Sequence, residues 1–325
     1  MKLINFKIAV SILLCSFLPA FLHARGADEG GIKNLTIYGI KGPSGVGIIR
    51  LFEDPPKFPG FNVNIQALAQ ADLVAAAFLS GDAKIGILPP NMAAKIASSG
   101  KDIRAAAVIG SGMLSLLTSD ASVRTFRDLR GKTVEVAGQG ATPDYVFQRI
   151  LGFNGLTPNV DVALGYSLAY PEIAQSLIAG RIPTALLPEP FATMALLGKP
   201  DLRLVSDIQE EWVRSGGKGN YPMTLLVVDG AFASAYPEAV GEIMASVKNS
   251  IEWVMANPAE AGVLAEKHEL GLKAAVVAAA APKSGYVFIP AIEGRPSLEA
   301  LFSLFLENAP ASIGGAMPGE EFYLK

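Results

Sequence analysis

The sequence predicts an α/β protein of two similar lobes, each a mostly parallel sheet flanked by helices. Three observations lead there. Strand-like runs alternate with helix-like runs, the order that places helices on both faces of a parallel sheet. A pattern recurs at a shift of 99 residues: Phe78-Leu79-Ser80-Gly81 returns as Leu177-Ile178-Ala179-Gly180, and Ile87-Leu88-Pro89-Pro90-Asn91 as Leu186-Leu187-Pro188-Glu189-Pro190. A length of 325 residues suits two such units better than one.

The first segment is a leader. Lys2 and Lys7 precede an apolar run over 8–22 that is short for a bilayer span and sized for a signal-peptide core. Ala24-Arg25-Gly26 offers small residues for cleavage before Ala27. Losing 1–26 takes the net charge from −3 to −6. Cys15 as a lipid-attachment site lacks the small residue expected before it, since Leu14 stands there; it reads as a hydrophobe of the signal core. The mature chain is expected outside the cytoplasm.

Composition excludes several classes. Half the residues are hydrophobic and 18% charged, which excludes intrinsic disorder. The 33 glycines and 22 prolines show no period, which excludes collagen-like chains. One cysteine excludes a disulfide framework and a thiolate zinc site. A net charge of −3 without a basic run argues against nucleic acid as partner. The mean hydropathy of +0.36 is high, yet no second long apolar run follows the leader.

Residues 35–40 read as the first strand, Gly42-Pro43-Ser44-Gly45 as a turn, and Ile48, Ile49 and Phe52 as one helical face. A strand near 63–65, a helix over 71–79 ended by Gly81, and a strand over 85–88 complete the first unit. The second lobe is expected over 119–219, opening on the strand at 133–137 and closing in the glycine-rich 215–219. The first lobe then comprises 27–118 and 220–325. Residues 223–228 are the return strand. A long helix follows, with Pro237 in its first turn and Val240, Ile243, Met244, Val247, Ile251 and Val254 on one face. Helices near 259–269, 271–281 and 297–307 finish the chain, and crossings near 117–120 and 220–225 form a hinge.

Gly138-Gln139-Gly140-Ala141-Thr142-Pro143 follows a strand and opens a helix. It misses the dinucleotide fingerprint because Pro143 replaces the third glycine. It predicts Thr142 as a cap, Asp144 in the first turn, and N–H groups of Gln139, Gly140 and Ala141 aimed at an anion or carbonyl; the plain alternative is a capped helix without ligand. Gly131-Lys132-Thr133 lacks the leading glycine of a phosphate loop and reads as a turn. Ser44 is a candidate cap beside Lys41, which meets an anionic group or is simply solvated. Pro90, Asn91 and Glu189 close equivalent strands, either facing a cleft or lying as surface turn residues. All belong to the carboxyl edge of a sheet, where open α/β folds bind ligands. Tyr38, Tyr166, Tyr170 and Phe191 offer rings for stacking or for the core.

Catalysis is poorly supplied. His268 is the one histidine after the leader and sits in polar Glu266-Lys267-His268-Glu269, expected as a solvated helix position. No triad and no metal-ligand spacing can be built around it.

These stretches taken together resemble the periplasmic substrate-binding proteins of ABC importers for nitrate, sulfonates and taurine, the SsuA/THI5-like and NMT1-like family. The resemblance is carried by Ala71-Asp72-Leu73-Val74 with Ser80-Gly81-Asp82-Ala83-Lys84-Ile85-Gly86, by Thr125-Phe126-Arg127-Asp128-Leu129-Arg130-Gly131-Lys132-Thr133-Val134, by the run from Gly138 to Tyr145, and by Pro188-Glu189-Pro190-Phe191-Ala192. It implies a type II periplasmic binding fold with a ligand cleft between the lobes and closure on binding. It further implies a monomer, a small-molecule solute, a membrane permease as partner, and no cofactor. The ligand set is expected at Lys41, Ser44, Pro90, Asn91, Gln139, Gly140, Ala141, Thr142, Tyr166 and Glu189, for an anionic or zwitterionic solute. A heterocycle such as a pyrimidine is the alternative, as is an enzyme of cofactor biosynthesis on this fold. The mature chain lacks the cysteine-rich stretch of the thiamine-precursor enzymes, which argues against that activity.

Overall fold

The computed structural model describes residues 32–136 and 138–325. The leader, Cys15 and the cleavage position lie outside the described residues. Eleven strands are present among them, in chain order β1 (Lys33–Ile40), β2 (Phe61–Leu68), β3 (Ile85–Leu88), β4 (Ile103–Ser111), β5 (Leu114–Thr118), β6 (Thr133–Val136), β7 (Ala163–Gly165), β8 (Thr184–Pro188), β9 (Arg203–Asp207), β10 (Pro222–Asp229) and β11 (Tyr286–Pro290). They form two sheets, ordered β11-β4-β10-β3-β1-β2 and β7-β6-β8-β5-β9.

The two sheets repeat one plan. β1 pairs in parallel with β2 and β3, as β6 does with β7 and β8. Next to each trio lies one antiparallel strand, β10 beside β3 and β5 beside β8. Those two strands are the exchanged ones: β5 carries the chain into the second sheet and β10 returns it to the first. Because β5 already belongs to the second sheet, the outward crossing falls at Gly112 and Met113 rather than near 117–120. The return falls just ahead of Pro222.

The elements form for legible reasons. β3 reads Ile85-Gly86-Ile87-Leu88 and is buried throughout, as a central strand covered on both faces must be. Helix Ala71–Ser80 stops at Gly81, and helix Pro237–Ala256 buries Val240, Ile243, Val247, Ile251 and Val254 on its inner face. The α-helices that follow it are Pro258–Lys267, Ala274–Ala280 and Ala291–Asn308. The last begins well before the expected 297 and contains Pro296. Burial of Leu298, Leu301, Phe302 and Phe305 sustains it past a residue that removes one backbone donor. Among the described residues no helix is long and apolar enough to cross a membrane.

Candidate functional site

The carboxyl ends of β1, β2 and β3 face those of β6, β7 and β8 across a cleft of about 540 Å³. One wall comes from residues 40–44, 69–71 and Pro89; the other from 141–143, 169–171, Pro188 and Phe191. The crossing strands floor it with Met113, Met223 and Thr224. This is the edge at which open α/β sheets place their ligands.

On the first wall, Lys41 follows β1 directly, is exposed and lines the cleft. Among the described residues no carboxylate lies within ion-pair distance of its amine. Ser44 also lines the cleft but caps nothing: Gly42 occupies the cap position of the five-residue helix Pro43–Gly47, and no side chain bonds that terminus. The tight turn depends on Gly45, where a Cβ would stand 2.7 Å from the Ile40 carbonyl oxygen. The Gly42 N–H donates to the Leu270 carbonyl at 3.0 Å, which brings Leu270 and Gly271 to the rim. Pro90 and Asn91 lie behind the wall; Pro89 lines it instead. Asn91 is buried with its Oδ1 unpartnered.

The second wall corrects the expectation for the helix Thr142–Phe153. Its cap position is Ala141, and Thr142 is its first residue, not its cap. Ala141 and Thr142 both line the cleft. The Gly140 N–H is not free for a ligand, because it donates to Asp144 Oδ2 at 2.9 Å. Asp144 is buried, and its other oxygen accepts from Gln148 Nε2 and from the Tyr166 hydroxyl, each at 2.7 Å. The helix thus supplies its own anion at its positive end. Tyr166 serves that carboxylate rather than the cleft, and burial followed by the Asp144 bond raises its phenol pKa. Gln139 is exposed and outside the lining.

Glu189 repeats this logic. It is 4% exposed, and its Oε2 accepts from the Thr193 N–H at 3.0 Å, closing the start of helix Phe191–Gly198. Burial pushes its carboxyl above the ordinary range, partly offset by Thr193. It does not line the cleft. Both expected acidic features of this wall are therefore consumed by helix termini.

What the wall leaves over is specific. Thr142 is 2% exposed, and its Oγ1 has no partner among the described residues. The rings of Tyr170 and Phe191 stack with centroids 5.8 Å apart and 20° between planes, and both line the cleft. Burial raises the Tyr170 phenol pKa. The sequence had offered these two rings for stacking. It had not marked Gln70, Met113, Ala169, Met223, Thr224 or Leu270 as lining. Gln70 was within reach of the strand-end rule, since it follows the carboxyl end of β2.

The arrangement can bind, and among the described residues that line it there is no acid–base pair. Among the described residues, Lys41 is the one charged residue lining the cleft. His268 lies elsewhere, at the end of helix Pro258–Lys267. It is not a freely solvated position: it bonds Glu53 Oε1 and packs on Phe52 with centroids 5.0 Å apart. Among the described residues no group of three or more His, Cys, Asp or Glu could hold a metal. A second cavity of about 570 Å³ lies between 94–104 and 314–322, with the Asp102–Arg104 ion pair on its wall.

A family described as NMT1/THI5 like matches residues 57–261 of the chain. Among curated proteins no sequence matches. Among solved structures, an ABC transporter protein from Parabacteroides distasonis aligns at 22% identity and a TM-score of 0.76, covering 90% of this chain and 99% of that one. The periplasmic aliphatic sulphonate binding protein SsuA from Escherichia coli aligns at 17% and 0.70, covering 90% and 92%. The periplasmic nitrate-binding protein NrtA from Synechocystis PCC 6803 aligns at 11% and 0.62, covering 89% and 83%. The chain belongs to the NMT1/THI5-like family and has the fold of type II periplasmic binding proteins.

Proposed function

We propose that this NMT1/THI5-like chain is the solute-binding protein of an ABC importer, working outside the cytoplasm. It captures a small organic anion or zwitterion between two lobes and presents the closed form to a membrane permease. The lobes are residues 32–111 with 222–325, and 114–219, hinged at the two crossings. The observation that carries this reading is the cleft itself. It is formed by the carboxyl ends of two equivalent sheets and holds the exposed amine of Lys41 and the buried hydroxyl of Thr142, neither with a partner among the described residues. The named functions of the structural neighbours, sulphonate and nitrate binding, support it.

The test is a thermal-shift screen on refolded protein stripped of carried-over ligand, against sulfonates, carboxylates, nitrate, taurine, pyrimidines and amino acids. A binding protein shows a saturable rise in midpoint with one chemical class, since a ligand that binds only the folded state stabilises it by mass action. The substitution Thr142→Asp adds a fixed negative charge to the second wall. Affinity for an anion should then fall at least about tenfold, a loss of roughly 1.4 kcal/mol. Unchanged affinity removes this wall from the site.

A further inference from the structure

The lining of the cleft, together with the proposed solute-binding role on which this inference rests, narrows the ligand class. Small hard anions are held by several converging N–H donors and by guanidinium groups. This cleft is poor in both. Prolines occupy the first turns of four helices that start around it, Pro43, Pro90, Pro143 and Pro171, and each removes a backbone donor. The Gly140 N–H is already bonded to Asp144. Among the described residues no arginine and no carboxylate lines the space. The walls are instead apolar and polarisable: Met113, Met223, Leu270 and the stacked rings of Tyr170 and Phe191. Sites for ligands with a sizeable apolar body occupy roughly 300–1,000 Å³ and pair such walls with a few fixed polar groups. A cleft of about 540 Å³ with Lys41 at its rim and the orphaned Thr142 hydroxyl in its wall fits that description.

We infer that the cleft binds an aromatic monoanion, with its ring against Tyr170, Phe191 and the two methionines and its acidic group between Lys41 and Thr142. Ring burial supplies the larger part of the affinity, because apolar area removed from water is extensive there. The single amine selects charge. The Thr142 hydroxyl, without a partner among the described residues, gains one on binding. Nitrate and taurine leave most of the apolar wall uncovered and bind poorly.

The experiment is titration calorimetry on the refolded chain with a panel of one- and two-ring aryl carboxylates including 2-naphthoate. The neutral 2-naphthylmethanol, taurine and nitrate are run alongside. Saturable binding of aryl carboxylates with a negative heat-capacity change is expected. The neutral alcohol should bind roughly fivefold more weakly, the scale of one partly exposed ionic contact. Lys41→Met should bring naphthoate down to the level of the alcohol. Ala169→Trp, at an exposed lining position, should fill the cleft and abolish binding. Naphthoate affinity untouched by Ala169→Trp overturns the placement. Taurine or nitrate binding tighter than every aryl carboxylate overturns the ligand class and leaves the solute-binding role standing. Binding of no compound in the panel, here or in the wider thermal-shift screen, overturns both.

Discussion

The two walls of the cleft are built from the same β-α-β plan and end up chemically unlike. The first wall presents Lys41, exposed and, among the described residues, unpaired, over a turn held by backbone hydrogen bonds. The second presents two buried carboxylates, Asp144 and Glu189, and turns both inward to its own helix termini. What faces the cleft there is residual: a hydroxyl without partner among the described residues and a pair of rings. The difference shows that a helix N-terminus is open to a ligand only where the chain's own side chains have not already taken its N–H groups. Two helix termini pointing at one space do not by themselves make an anion site.

That contrast can be broken most forcefully at Asp144. Replacing it with alanine strands the Gly140 N–H, the Gln148 amide and the Tyr166 hydroxyl. Stability should fall by about 3 kcal/mol, read as a lower urea midpoint at unchanged slope. Tyr166→Phe removes one of the three bonds and should cost about 1 kcal/mol without altering ligand affinity. A loss of affinity in Tyr166→Phe would return that residue to the site.

The second carboxylate is tested through pH. Burial holds the Glu189 carboxyl above the ordinary glutamate range, because ionising it there forfeits hydration that the Thr193 N–H replaces only in part. The folded chain therefore keeps this proton to higher pH than the unfolded chain does. Its contribution to stability is full below the unfolded value of about 4.3 and is lost as pH rises through the folded value. Glu189→Gln should erase that decline, so the variant gains on the native chain between pH 4 and pH 8. Parallel curves would mean that the carboxyl titrates alike in both states.

Smaller effects sharpen the comparison further. Thr142→Val removes a buried hydroxyl that has no partner among the described residues. It should leave the ligand-free chain unchanged or more stable by up to about 1 kcal/mol while weakening ligand binding. Gln139→Ala lies on an exposed turn outside the lining. It should change stability by less than about 0.5 kcal/mol and leave affinity alone.

Much of the fold was legible because its signals are local. Gly81 ends a helix that starts at Ala71, continuous burial makes 85–88 a strand, and the shift of 99 residues pairs Ala71–Ser80 with Tyr170–Ile178 and β3 with β8. The position of the outward crossing was not, since nothing local says which sheet 114–118 will join. The site was legible as turns at strand ends, which located Lys41, Ser44, Ala141 and Thr142 on the lining. It was illegible as side-chain directions. Glu189 and Tyr166 lie beside cleft turns in sequence, yet each is drawn inward by a donor or acceptor that sequence does not reveal. Met113, Met223 and Leu270 come from distant segments that only the assembled sheets bring together.

A solute held between the two sheets must touch both walls at once. Hydrogen–deuterium exchange, with and without whichever compound shifts the midpoint most, tests it directly. Slowed exchange is expected at 41–44, 69–71, 141–142 and 169–170, on both walls at once, with the crossings near 112–113 and 219–221 also affected. Protection confined to 94–104 and 314–322, around the second cavity, would contradict it.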